Sequence, residues 1–184
     1  GAAPNTSLLF PDLSGSAAAA AAFSATSAAA AAGQKKRVTV RLASKDDYAT
    51  WKRLWSGYLT FYKHELADEV TDETWRRLLD PANDAQHCLL AVADDGRVMG
   101  FAIYLLHPST WSVTPYCYLE DLYVAEGTRG SGAGRALIEE IYRRAEEGGW
   151  GRVYWCTDDD NYRARTLYDK LAKNARIIQY RHEK

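Results

Sequence analysis

The chain has 184 residues, 47% of them apolar, which suits one ordinary domain with a sizeable core. Its 23 basic and 24 acidic side chains nearly cancel, and Asp12 alone falls within residues 1–34, so residues 35–184 are neutral as a whole. That balance excludes non-specific nucleic-acid binding through bulk charge and leaves a local acidic or basic pocket open.

Residues 1–34 differ in kind from the rest: fourteen are alanine and five are serine, with runs at Ala17–Ala22 and Ala28–Ala32. Alanine favours a transient helix. The segment has little large apolar surface to bury, however, and a low-complexity tail, disordered or loosely packed, is expected. A secretory signal would need a basic stretch before Leu8-Leu9-Phe10, and a mitochondrial presequence would need arginine; neither is there. From Lys35 the texture changes. Arg37–Leu42 alternates as a strand. Ser44, with Asp47 three residues on, resembles a capping box, and Tyr48, Trp51, Trp55, Tyr58 and Tyr62 follow at helical spacing. A short helix is predicted over Asp72–Leu79, stopped by Pro81. His87–Ala93 and Val98–Leu106 read as strands joined by an Asp94-Asp95-Gly96 turn, and Tyr116–Val124 as another. Beyond the glycine-rich stretch Gly127–Gly134, an apolar stripe of Gly134, Leu137, Ile138, Ile141, Tyr142 and Ala145 predicts a helix. Glu139/Arg143 and Glu140/Arg144 support it at i,i+4 spacing, and Gly148-Gly149 ends it. Arg152–Cys156 forms the next strand. Ala164, Leu167, Tyr168, Leu171 and Ala172 mark a last helix, and Ile177–Tyr180 a last strand. The order β-α-α-β-β-β-α-β-α-β predicts a single α/β domain with a mixed β-sheet and flanking helices.

No apolar run approaches the ~20 residues of a bilayer-spanning helix, so no membrane partner is expected. Cys88, Cys117 and Cys156 each stand alone in an apolar stretch, without metal-ligand spacing. Three reduced, buried thiols in a cytoplasmic protein, with the nucleus also open, are the expectation. His87 and His107 are lone histidines flanking strands and read as structural, and most of the six tryptophans and twelve tyrosines as core and pocket rim.

Arg129-Gly130-Ser131-Gly132-Ala133-Gly134-Arg135 lies directly between a strand and a helix. Alternating glycines bare the backbone N–H groups at a positive helix start, which suits a phosphate or pyrophosphate. A P-loop would require Gly-Lys-Ser/Thr where Gly134-Arg135 stands, and a dinucleotide fingerprint would require Gly at 135 or 137. A flexible turn is the plain alternative.

Arg129-x-x-Gly132-x-Gly134, after Leu119-Glu120-Asp121-Leu122-Tyr123-Val124, resembles motif A of the GNAT-fold N-acetyltransferases. Asn161-x-x-Ala164-x-x-Leu167-Tyr168, after Val153-Tyr154-Trp155-Cys156-Thr157, resembles the helix motif that follows it in that family. Cys117–Val124 and Val153–Asp158 are most similar to the fungal Hpa-type histone/polyamine and D-amino-acid acetyltransferases. Tyr118–Val124 and Gly100–Tyr104 also resemble the spermidine/spermine acetyltransferases. The resemblance covers roughly residues 37–182, its specific motifs residues 117–168. One departure is Asn174-Ala175 where many relatives have Gly-Phe; Asn tolerates the left-handed backbone of a helix C-cap.

The resemblance implies acetyl-CoA as co-substrate, no metal, and N-acetylation of a small-molecule primary amine, a polyamine, amino acid or lysine-type acceptor. Attack would be direct, in a ternary complex, and a homodimer through the C-terminal strands is expected. Backbone groups of Leu122, Tyr123 and Val124 would receive the pantetheine arm, and Arg129, Gly130, Ser131, Gly132, Ala133, Gly134 and Arg135 the pyrophosphate. Asn161, Ala164 and Tyr168 would close the other side. Acids are costly inside a strand of Tyr, Cys, Leu and Val, so Glu120 and Asp121 require an explanation. By the resemblance to the polyamine acetyltransferases, Glu120 would be the general base, through a water, and Asp121 would help hold a cationic amine; solvated edge charges are the plain alternative. Strand alternation would turn them to opposite faces unless a bulge intervenes. Tyr168 follows Asn161 by seven residues, within ~20° on the same helix face, and is the candidate acid for the leaving thiolate; otherwise it is a core aromatic. Two other readings remain: a non-catalytic acyl-CoA-binding module, and a histone-tail lysine acetyltransferase with Asp158-Asp159-Asp160 as its acidic groove. Those aspartates also fit a helix N-cap.

Overall fold

The computed structural model describes residues 37–182, and the Ala/Ser-rich stretch 1–34 lies outside them. β1 (Val38–Leu42) leads through a 3-10 turn at Lys45–Asp47 into α1 (Tyr48–Phe61) and α2 (Asp68–Leu78). β2 (Gln86–Ala93), β3 (Val98–Ser109) and β4 (Ser112–Val124) follow, then α3 (Ala133–Gly148), β5 (Arg152–Tyr154) and α4 (Tyr162–Tyr168). The strands form one sheet in chain order, antiparallel as far as β4, with β5 parallel to β4. The α/β domain with a mixed sheet and flanking helices is therefore borne out.

Local chemistry sets the turns. Asp47 accepts from the Ser44 backbone N–H and hydroxyl at 2.8 Å each, and from both Arg41 guanidinium nitrogens at 2.7 Å. Arg41 above all holds that carboxyl well below the usual carboxylate range. The β2–β3 turn closes with Gly96 at φ 81°, and α3 ends with Gly149 at φ 64°, a left-handed conformation that costs glycine little.

Helices cover both faces of the sheet. Leu137, Ile138 and Ile141 of α3 bury against Leu89, Ala102, Cys117 and Leu119. On the other face Trp51, Leu54 and Trp55 of α1, with Trp75 of α2, bury against Leu90, Phe101 and Ile103. Each large side chain removed from water here contributes roughly 1.5–3 kcal/mol. Gly57 lets α1 settle closely on the sheet: a Cβ there would stand 2.5 Å from the Tyr123 hydroxyl.

Several expectations are corrected. Ile177–Tyr180 forms no strand within one chain. β-Propensity becomes a strand only where an edge offers a ladder, and the sheet ends at β5 in a strand of only three residues. The second helix starts at Asp68, not Asp72, because Asp68 and Glu69 suit a first turn. Cys156 is exposed; only Cys88 and Cys117 are buried. Glu139 pairs with Arg135 rather than Arg143, which bonds Glu140 and Glu147 instead, while the expected Glu140–Arg144 pair forms at 2.8 Å. The left-handed residue after α4 is Arg176, whose N–H the Asn174 side chain accepts at 2.8 Å.

Candidate active site

β4 carries the two strand acids. Its ladder with β3 pairs Asp121 with Ile103 and Leu119 with Tyr104, which leaves Glu120 as an extra residue. Leu119 and Leu122, three positions apart, both pack on the α3 face, while Tyr123 packs on the α1 face. A regular strand would part Glu120 from Asp121. The bulge turns both toward the α1 side.

α1 supplies the neighbour they meet. The Tyr58 hydroxyl donates to the Asp121 carboxylate. Burial pushes Asp121 up to about 6, with the Tyr58 hydrogen bond opposing the rise and the Glu120 charge adding to it. Glu120 is exposed, and partial burial moves its pKa in the same upward direction. Burial first, then the Asp121 charge, raises the Tyr58 hydroxyl far above the ordinary phenol value. At neutral pH the trio is thus a neutral phenol donating to an ionised carboxylate, with a second carboxylate open to solvent.

β4 and β5 are paired only over Tyr116–Tyr118 and Arg152–Tyr154. Beyond that point the strands part, and the β4 edge from Leu119 onward has no strand partner on the β5 side. A cavity of about 530 Å³ opens between that edge, the start of α3 and α4. Leu122, Tyr123, Val124, Arg129, Gly130, Gly132, Ala133, Gly134, Arg135, Asn161, Ala164 and Tyr168 line it, as the motifs lead one to expect. Three expected residues do not. Ser131 instead accepts a hydrogen bond from the Ala133 N–H at 3.4 Å, and Glu120 and Asp121 lie outside the lining.

The lining is built for an anion. Gly130 and Gly132 have φ of 86° and 93°, with no atom within 4 Å of where a Cβ would stand. The N-cap Gly132 offers no side chain, and past the Ala133 N–H that Ser131 takes, the Gly134 and Arg135 N–H groups of the first turn face a ligand. Four cations, Arg129, Arg135, Arg163 and Lys170, line the cavity, and no carboxylate does. Arg129 is braced by Glu126 at 3.0 Å and lies over the Phe61 ring. These features fit the pyrophosphate of a coenzyme A thioester.

Asn161 and Tyr168 share one side of α4, as their spacing predicts. The Asn161 amide caps α4, accepting from the Ala164 N–H at 3.4 Å and donating to Thr157 Oγ1 at 3.0 Å. Trp155 stands edge-on to Tyr168 at 5.3 Å. Burial, with a smaller contribution from Tyr62, pushes the Tyr168 hydroxyl up to about 12. Asp158, Asp159 and Asp160 precede α4, and Asp159 pairs with Arg165 at 2.9 Å. Sequence reasoning missed Phe61 and Tyr62 at the end of α1, Arg163 and Thr166 on α4, and Lys170 in the turn after it. The Tyr58/Tyr62 spacing and the exposed cations Arg163 and Lys170 are visible signals, but nothing local says that α1 ends at this cavity.

Comparison with known proteins agrees with this geometry. A model of the Acetyltransferase (GNAT) family matches residues 48–172. D-amino-acid N-acetyltransferase HPA3 of Saccharomyces cerevisiae is 39% identical over 145 residues, covering 79% of this chain and 90% of that protein. Thialysine N-epsilon-acetyltransferase of Bos taurus is 28% identical, over 73% of this chain and 82% of that one. Among solved structures, ribosomal-protein-alanine N-acetyltransferase from Brucella melitensis biovar Abortus superposes with a TM-score of 0.68 at 25% identity, covering 80% of this chain and 99% of that one. With its sheet, its glycine-opened helix and these relatives, the chain belongs to the GNAT family of acetyltransferases and is an N-acetyltransferase.

Proposed function

We propose that the chain moves the acetyl group of acetyl-CoA to a primary amine by direct attack, with Glu120 as base and Tyr168 as acid. One juxtaposition carries this reading. Tyr62 lines the cavity together with Tyr168 and stands edge-on, at 4.9 Å, to Tyr58, the neighbour of Asp121, which supports reading the carboxylates of the bulge and the phenol in the cavity as one site. Acetyl-CoA supplies a thioester whose carbonyl carbon takes the amine and whose sulfur leaves. Glu120, open to solvent, receives the amine proton directly or through one water. Asp121, held by Tyr58, keeps a negative charge beside a cationic acceptor. Tyr168, protonated at neutral pH, gives its proton to the departing sulfur. One C–N bond forms, one C–S bond breaks, and the products are an amide and a free thiol. Cys88 and Cys117 are unsuited to an acyl-enzyme, since both are buried and burial raises their thiols, Cys117 to about 12. The D-amino-acid and thialysine relatives favour small amino acids or lysine-type amines as acceptors.

The test is release of free thiol from acetyl-CoA with a panel of D-amino acids and terminal amines. Thiol release that needs the amine and saturates with it is expected. A protein that binds acetyl-CoA but releases no thiol with any amine would instead be a silent binding module.

The protein further acts, in this reading, as a homodimer. Ile177, Ile178 and Tyr180, exposed by 84%, 77% and 90%, form a strand-prone segment without a partner in one chain, which a second copy would pair.

A further inference from the structure

The bulge that turns Glu120 toward the α1 side also ends a row of side chains that neither core absorbs. The β4–β5 register sets Tyr116 beside Arg152 and Tyr118 beside Tyr154. The Tyr118 and Tyr154 rings lie 5.0 Å apart at 38°, a paved floor two residues before Glu120. His107 of β3 meets the Tyr154 hydroxyl at 2.9 Å and stands edge-on to Tyr116 at 6.1 Å. The Arg152 guanidinium covers the Tyr116 ring at 4.6 Å. Among the described residues no carboxylate pairs with Arg152, unlike Arg41, Arg76, Arg129, Arg143 and Arg144. None of these tyrosines belongs to either apolar core, and α1 and α2 cover other parts of this face.

The lane therefore has two carboxylates at one end, aromatic rings in the middle and an unpaired guanidinium at the other. We propose that it is the acceptor subsite, and that it selects amines whose apolar chain separates the reacting nitrogen from a terminal carboxylate. This inference rests on the acetyl-transfer reading and specifies its acceptor. The carboxylates of the bulge would receive the ammonium end, the rings of Tyr118 and Tyr154 the methylenes, and Arg152 the far carboxylate through charge-assisted hydrogen bonds. The dimensions agree. Four steps along the strand, from Tyr116 to Glu120, span about 13 Å. An extended six-carbon ω-amino acid, about 8 Å from nitrogen to carboxylate, bridges that distance with one hydrogen bond of about 2.8 Å at each end. A diamine of the same length would set its second cation against Arg152.

Three probes of equal length separate the possibilities: 6-aminohexanoate, hexylamine and 1,6-diaminohexane, which differ only at the far end. The full-length protein with acetyl-CoA should show the highest kcat/KM for 6-aminohexanoate, about 10- to 100-fold above hexylamine, the range of one charge-assisted contact, and the lowest for the diamine. Arg152→Gln should bring the 6-aminohexanoate to hexylamine ratio close to one. Arg152→Glu should invert the order in favour of the diamine. A ratio that Arg152→Gln leaves intact, or a wild-type preference for the diamine, overturns the proposal. So does failure to acetylate 6-aminohexanoate. In that case thiol release with a D-α-amino acid in the same assay would leave the acetyl-transfer reading standing, and its absence would remove both.

Discussion

Asp121 is the residue at which fold and chemistry pull hardest against each other. A carboxyl buried against the sheet and raised to about 6 holds its proton more tightly in the folded chain than in the unfolded one. Its stabilising share is therefore complete in acid, below the ordinary carboxylate pKa, and is lost as pH rises through about 6. Asp121→Asn, which still accepts the Tyr58 hydrogen bond, should raise stability at pH 7.5 by about 2–3 kcal/mol and by almost nothing near pH 3. Urea unfolding at both values checks this; a loss at pH 7.5 would mean that the carboxylate is held by more than Tyr58. Glu120 is tested by rate instead. An alkylamine has a reference pKa near ~10.4 and is almost wholly protonated at neutral pH. Glu120→Gln should therefore be slow at pH 7 and recover partly toward pH 9, with acetyl-CoA affinity little changed. A variant as fast as wild type across that range would pass the role to Asp121. Tyr168→Phe removes a proton but keeps the ring against Trp155. It should lower kcat on the order of 10- to 1,000-fold while acetyl-CoA affinity stays within a few-fold; an unchanged kcat would show that solvent protonates the sulfur.

At the scale of elements, two local irregularities make the site, and they were not equally legible. The glycines at 130, 132 and 134 announce themselves in the sequence, because alternating glycines between a strand and a helix leave few structural uses besides an anion cradle. The bulge at Glu120 is silent. Tyr-Leu-Glu-Asp-Leu-Tyr can be threaded as an ordinary strand, and only the pairing of Leu119 with Tyr104 and Asp121 with Ile103 shows where the extra residue sits. Register is a property of two strands, so one strand read alone cannot contain it. Phe61 and Tyr62 escaped for a similar reason: their helix was clear, but its destination depends on the close seat of Gly57 on Tyr123. The C-terminal strand failed in the opposite direction, since its propensity was plain and its pairing edge was not. The glycine cradle has a direct test. Gly132 at φ 93° begins α3 with open space around it, so Gly132→Val introduces backbone strain rather than a clash. Acetyl-CoA should raise the wild-type Tm by mass action, and Gly132→Val should abolish most of that rise. A shift that survives would place the anion elsewhere.

At the scale of the whole molecule, a short edge strand and a strand-prone C-terminal segment bear on assembly. The sheet ends at β5, three residues long, and among the described residues no strand pairs with its outer edge. Residues 173–182 run on without regular structure, with Ile177, Ile178 and Tyr180 exposed. Exposed β-branched and aromatic side chains on a segment without regular structure are a liability that a second copy can remove, because pairing satisfies backbone groups and buries apolar surface together. Pairing at an edge would also leave the Tyr118–Tyr154 face open to an acceptor. Two predictions follow from this arrangement. The protein should elute and scatter light as a dimer. Replacing Ile177 and Ile178, both largely exposed in one chain, together with Asp should shift it to a monomer, because each copy would then bring two charges to a segment whose burial they oppose. The isolated monomer should keep the α3 cradle and still show an acetyl-CoA-dependent rise in Tm. A wild type that scatters as a monomer removes the homodimer. A variant that stays dimeric moves the contact to another face, with the exposed Trp111 and Val113 at the β3–β4 tip as the next surface to test.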